Sequence, residues 1–246
     1  ICSGTELGIN VGYSASSSII VDSLNFDRSA KERYVNTVFV PDGHNCEHLY
    51  GGICFDAPVM FDDFPAGATV ASGNDVMSIC LNAEHSFLGD IDMSVICPNG
   101  QTVILKHASG GGGTFLGQPV DEASSTTCCD SNCAPIGVGW TYCWSTQYLD
   151  GARGYIANAS SSGPSLDSTN TVDTVGYYQP PTQNGGTTPD PNAFDALIGC
   201  PLNGEWIFRI CDHLNIDNGY IFWWDIELGQ NSGATWDYQV PLDTVI

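Results

Sequence analysis

Basic residues are nearly missing: six Lys and Arg stand against 28 Asp and Glu in 246 residues, a formal net charge of -22. Neutralising a phosphate backbone needs clustered cations, so nucleic acid is excluded as a partner. The same shortage argues against an anionic membrane surface. Long apolar runs are missing too, so no segment reads as a membrane span and membrane insertion is not expected. Helical patterning is almost absent, because Gly, Ser, Thr, Asn and Pro interrupt every apolar run before a period near 3.6 is established. Serine-hydrolase signatures are lacking: no G-x-S-x-G appears, and five histidines are scattered without a recognisable triad. The chain is therefore expected not to be an enzyme.

What is abundant is cysteine. Eleven in a chain this size indicate an oxidising compartment, and the odd count leaves one thiol free, paired with another chain or paired with a cysteine beyond this one. The disulfide candidates are Cys46, Cys54, Cys80, Cys97, Cys128, Cys129, Cys133, Cys143, Cys200 and Cys211. Cys80, Cys97, Cys143, Cys200 and Cys211 lie in or beside core-like strands, whereas Cys128, Cys129 and Cys133 staple a long loop or bind metal. Spacing alone does not give their connectivity. The start at Ile1 fits a processed or trimmed secreted chain, extracellular or at the cell surface.

With 42% hydrophobic residues the chain can bury a core. Strand-like runs recur at INVGY (9–13), SIIV (18–21), YVNTVFV (34–40), APVMF (57–61), VMSICLN (76–82), IDMSVIC (91–97), QTVIL (101–105), EWIFRIC (205–211) and GYIFWWDIEL (219–228). Short strands with turn residues between them predict an all-β, jelly-roll-like β-sandwich with long disulfide-stabilised loops. In the hairpin IDMSVICPNGQTVIL, Ile91, Met93, Val95 and Cys97 share one face by period-two alternation and Asp92 and Ser94 take the other. CPNGQTVIL (97–105) is echoed by CPLNGEWIFRI (200–210), as two equivalent hairpins would be.

Two site hypotheses follow from residue chemistry. Asp90 and Asp92 in GDID, with Asp212 and Asp217 in CDHLNIDNG, offer hard oxygen ligands for Ca²⁺ on loops beside strands. The competing reading is solvated turn carboxylates. Among the aromatics, Trp140 and Trp144 are candidates to stack on a glycan, with plain packing as the alternative. HNCEH (44–48) has the wrong order for a zinc-protease helix and reads as a loop.

Taken in order, HSFLGDIDMSVICPNGQTVIL, GGGGTFLGQPVD, GVGWTYCWS and LIGCPLNGEWIFRICDHLNIDNGYIFWWDIEL resemble the proprotein-convertase P domain, in the variant seen in proteins secreted by the type IX system of gliding-type bacteria. The resemblance covers about residues 38–228 and implies a galactose-binding-type jelly roll without catalytic residues of its own. It divides the chain into an N-terminal strand segment at 1–37, packing on or exchanged with a neighbour, the sandwich at 38–228, and a strand-like extension at 229–246. Asp followed by Ser or Thr is similar to the O-glycosylation sequon of such bacteria, which marks Ser23, Ser168, Thr174 and Thr244. The resulting expectation is a secreted structural or adhesive module at the cell surface, a subunit of an extracellular fibre. Its partners would be other copies of itself, surface proteins or glycans. The alternatives are a Ca²⁺-dependent carbohydrate-binding module and an accessory P domain of a secreted protease.

Overall fold

The computed structural model describes residues 28–40, 43, 54–108, 114–120, 135–146, 154–158, 177–214 and 217–230, which belong to one compact unit, residues 27–232. Among the described residues ten strands form two sheets: β1 (Arg28–Tyr34), β2 (Val38–Val40), β3 (Cys54–Phe61), β4 (Val76–His85), β5 (Ile91–Ile96), β6 (Thr102–Lys106), β7 (Trp140–Trp144), β8 (Tyr177–Tyr178), β9 (Gly204–Asp212) and β10 (Gly219–Gln230). One sheet runs β1-β10-β4-β7-β8 with β2 also on β10, and the other runs β3-β9-β5-β6. Every pairing is antiparallel except the short one between β7 and β8. Among the described residues the helical elements are 3₁₀ turns of three to five residues. The all-β sandwich predicted from the short, turn-bounded strands is the observed architecture.

The alternation of β5 explains its placement: Ile91, Met93 and Val95 are buried while Asp92, Ser94 and Ile96 are half-buried. β4 is buried at nearly every position, as suits a strand flanked by β10 and β7. The sheets close on Trp144, Trp206, Trp224, Phe208 and Tyr142, all fully enclosed. Phe208 of β9 and Trp224 of β10 bring their ring centroids to 5.5 Å across the sandwich. Each such side chain contributes roughly 1.5–3 kcal/mol by leaving water.

The run YVNTVFV does not make one strand. Tyr34 pairs with Trp224 and Val38 with Ile221, so three residues (35–37) oppose two, and the chain bulges there with Val35 exposed. β1 itself, RSAKERY, lacks apolar alternation, and its charges suit an edge strand. It lies within the expected 1–37 segment and pairs along its whole length with β10 of the same chain. On that edge the buried Asp225 is held by Lys31 Nζ at 3.1 Å and Arg33 Nη2 at 2.5 Å, and the Arg33 guanidinium sits 4.1 Å above the Trp223 ring.

Among the described residues three disulfides join neighbouring strands or turns within a sheet. Cys54–Cys211 and Cys80–Cys143 link directly opposed residues of β3/β9 and β4/β7. Cys97–Cys200 joins the two Cys-Pro turns whose sequences echo one another, and Gln101 Nε2 donates to the carbonyls of Ala196 and Ile198 beside them. Gly204 packs against Pro98 at φ +122°, where a Cβ would lie 2.8 Å from the Pro98 ring. Three disulfides place the folded chain in an oxidising environment.

On the outer face of the second sheet Arg209 grips Asp56 through two bonds of 2.6 Å, with both side chains well exposed. Asp56→Ala is expected to cost less than about 1 kcal/mol in a urea melt, since water competes for both partners. A larger loss would show that the pair is shielded in solution.

Candidate functional site

At one end of the sandwich two connections cross between the sheets: residues 86–90 lead from β4 to β5, and residues 213–218 lead from β9 to β10. They are stitched together. His213 N donates to Asp90 O at 3.0 Å, and Ser86 N donates to Asn218 O at 3.1 Å. Ser86 Oγ donates to Asp217 Oδ1 at 3.1 Å.

His85 ends β4 and Asp212 ends β9, so their contact, Nε2 to Oδ2 at 3.2 Å, ties one sheet to the other. Both are buried, and Nδ1 of His85 accepts the Phe87 N–H at 3.1 Å, which favours the proton on Nε2. Burial opposes charge on this ring, while Asp212, Glu84 and Asp217 favour it and on balance raise its proton affinity. Asp212 Oδ1 accepts from Leu214 N at 3.0 Å. A pair so enclosed joins the sheets and presents no base to solvent.

Asp90 is different. It is 2% exposed, and neither carboxylate oxygen has a hydrogen-bond partner. Burial, then the negative charges of Asp212 and Asp217, push its pKa up to about 6, against His85 and Lys106. Lys106 is fully buried, with Nζ donating to the carbonyls of Ile91 at 2.8 Å and His107 at 2.7 Å. Burial lowers its pKa to about 8 despite the charges of Asp92 and Asp90. Glu84, also buried, is raised to about 7 by desolvation, opposed by His85 and by the Gly137 N–H.

Of the four acids proposed from the sequence, Asp212 and Asp217 lie within electrostatic reach of the buried Asp90, and Asp92 turns away. Asp92 Oδ2 lies 2.7 Å from His213 Nε2, Ala108 N donates to its Oδ1, and the side chain is part-exposed. The physical reason is the alternation of β5, which sends Asp92 to the face opposite Ile91. Among the described residues no three His, Cys, Asp or Glu side chains form a ready-made metal cage. Trp144 is fully enclosed in the core, so as placed it offers no ring face to a sugar, whereas Trp140 is half-buried. The sequence pattern missed Lys106 and Glu84. A register shift between Met93 and Ser94 follows Lys106 in the β5/β6 ladder, and simple alternation from the buried Leu105 puts the lysine outside. Ser23, Ser168, Thr174 and Thr244, the His44–His48 loop, Cys46, Cys128, Cys129 and Cys133 lie outside the described residues.

No protein-family model and no curated protein matches the chain.

Proposed function

We propose that this chain is a non-catalytic, secreted structural or adhesive module acting at the cell surface. The observation that carries the reading is the covalent stapling of neighbouring strands: β3 to β9, β4 to β7, and the turn after β5 to the turn before β9. Bonds of this kind hold adjacent strands in register against shear and proteolysis outside the cell, where no chaperone refolds them. The strong negative charge adds solubility and mutual repulsion in the same setting. The ordered P-domain-like motifs agree with a module that supports or attaches rather than cleaves. A fibre subunit is the more specific form of this reading, with other copies of the chain as partners.

The test is electron microscopy of material isolated from its source, beside cell fractionation and gels run with and without reductant. Surface or medium localisation with regular fibres or disulfide-linked ladders supports the fibre form. Dispersed monomers in the same fraction retain the module and discard the fibre. Recovery only from a reducing compartment, with free thiols at Cys54, Cys80 and Cys97, overturns the proposal.

A further inference from the structure

We propose that the Asp90 carboxylate, with Asp212 and Asp217 beside it, binds one Ca²⁺ where the two sheet-crossing connections meet. This goes beyond the module reading and does not depend on it.

The first observation is the carboxylate itself: two oxygens shut away from water at 2% residue exposure with nothing donating to either. A buried anion in that condition is costly unless a proton or a cation joins it. The second is the company it keeps. Asp212 and Asp217 stand close enough to act electrostatically on Asp90, and both repel its negative charge. One divalent ion reverses the sign of all three interactions.

The nearby cations do not fill the role. Lys106 directs its ammonium to the carbonyls of Ile91 and His107, and His85 directs Nε2 to Asp212. Neither forms a bond with Asp90. An oxygen that accepts one N–H or O–H keeps a second lone pair, so Asp212, whose Oδ2 meets His85 and whose Oδ1 accepts from Leu214 N, and Asp217, whose Oδ1 accepts from Ser86, can ligate while keeping those bonds. The donors are hard carboxylate oxygens, from a 3₁₀ turn (Asp90), the end of β9 (Asp212) and the segment before β10 (Asp217), which suits Ca²⁺ with its six to eight oxygen ligands better than a soft metal.

The experiment uses the intact chain freed of divalent ions by chelation. Native mass spectrometry is expected to show a single Ca²⁺ adduct. In a thermal melt, Ca²⁺ at a hundredfold excess over Kd is expected to raise Tm by on the order of 5 °C. Asp90→Asn and Asp217→Asn should each weaken binding at least about tenfold, since each removes a ligand charge, while the exposed Asp56→Asn leaves it unchanged. Metal-free Asp90→Asn at neutral pH is expected to melt no lower than the metal-free parent, so its loss of binding is not a loss of fold. Absence of both adduct and shift in the parent overturns the proposal. So does an adduct that survives Asp90→Asn and Asp217→Asn alike, which would put the ion elsewhere on the acidic surface.

Discussion

Replacing Cys54 and Cys211 together by serine is expected to lower unfolding free energy by about 4 to 5 kcal/mol, the largest loss among the three disulfides of the described residues. The bond closes a loop of 157 residues, against 103 for Cys97–Cys200 and 63 for Cys80–Cys143. In the chain-entropy account a longer loop removes more freedom from the unfolded state, so the losses should follow that order, with the shortest near 4 kcal/mol. Folded domains have only about 5–15 kcal/mol in hand, so one such loss is a large share of the total. A difference at the strand ends adds to it. Cys54–Cys211 sits where β3 begins and β9 finishes, one residue from Asp212, so its loss also loosens the end that carries the His85–Asp212 contact. Equilibrium urea melts of the three double-serine variants under oxidising conditions check the ranking. If the Cys80–Cys143 variant proves the least stable, local strand pairing rather than loop closure governs these bonds.

How much of this end of the molecule could be read beforehand depends on the range of the interaction. β5 was legible because Ile91, Met93 and Val95 alternate with polar residues, β9 because Trp206, Phe208 and Ile210 alternate with less buried positions, and β4 and β10 because their apolar content is high enough to be buried on both faces. β1 was not, since RSAKERY has the charges of an edge strand, and its place is set by Asp225 and Trp223 some 190 positions away. Asp90, Asp212 and Asp217 were recognisable as acidic turn residues, yet their meeting depends on two crossing connections ending at the same edge of the sandwich, which is a property of topology. Asp92 was grouped with Asp90 by adjacency, although the alternation that places Met93 inside also sends Asp92 outward to His213. The two Cys-Pro echoes read as equivalent hairpins turn out to be bonded to each other through Cys97 and Cys200.

The buried charges at that edge also give the protein an acid-favoured stability curve, expected to fall by several kcal/mol between about pH 4 and pH 8. Asp90 rises from 3.8 to about 6 on folding, so the native state holds its proton more tightly and stability is lost as pH climbs through that interval. Glu84, raised from 4.5 to about 7, acts with the same sign over a slightly higher interval. Shifts of this size are worth on the order of 3 kcal/mol for each group. His85, whose proton affinity is raised on folding, contributes stability that is complete below 6.5 and is lost as pH passes its folded value. Lys106 has the opposite sign: lowered from 10.5 to about 8, it returns stability as pH rises from 8 toward 10.5. The minimum therefore lies near pH 8. Repulsion across a net charge of -22 pulls the same way below that point, because protonating carboxylates relieves it. Thermal melts from pH 4 to pH 9 check the profile, and variants divide it: Asp90→Asn should flatten the lower part and Glu84→Gln the upper. A profile that rises from pH 4 to pH 7 would mean that both carboxyls reach water or a partner in solution. Repeated with millimolar Ca²⁺, the same melts should shrink the Asp90 step and leave that of Glu84, because an ion beside Asp90 removes the cost of its charge while Glu84 stays bonded to Gly137.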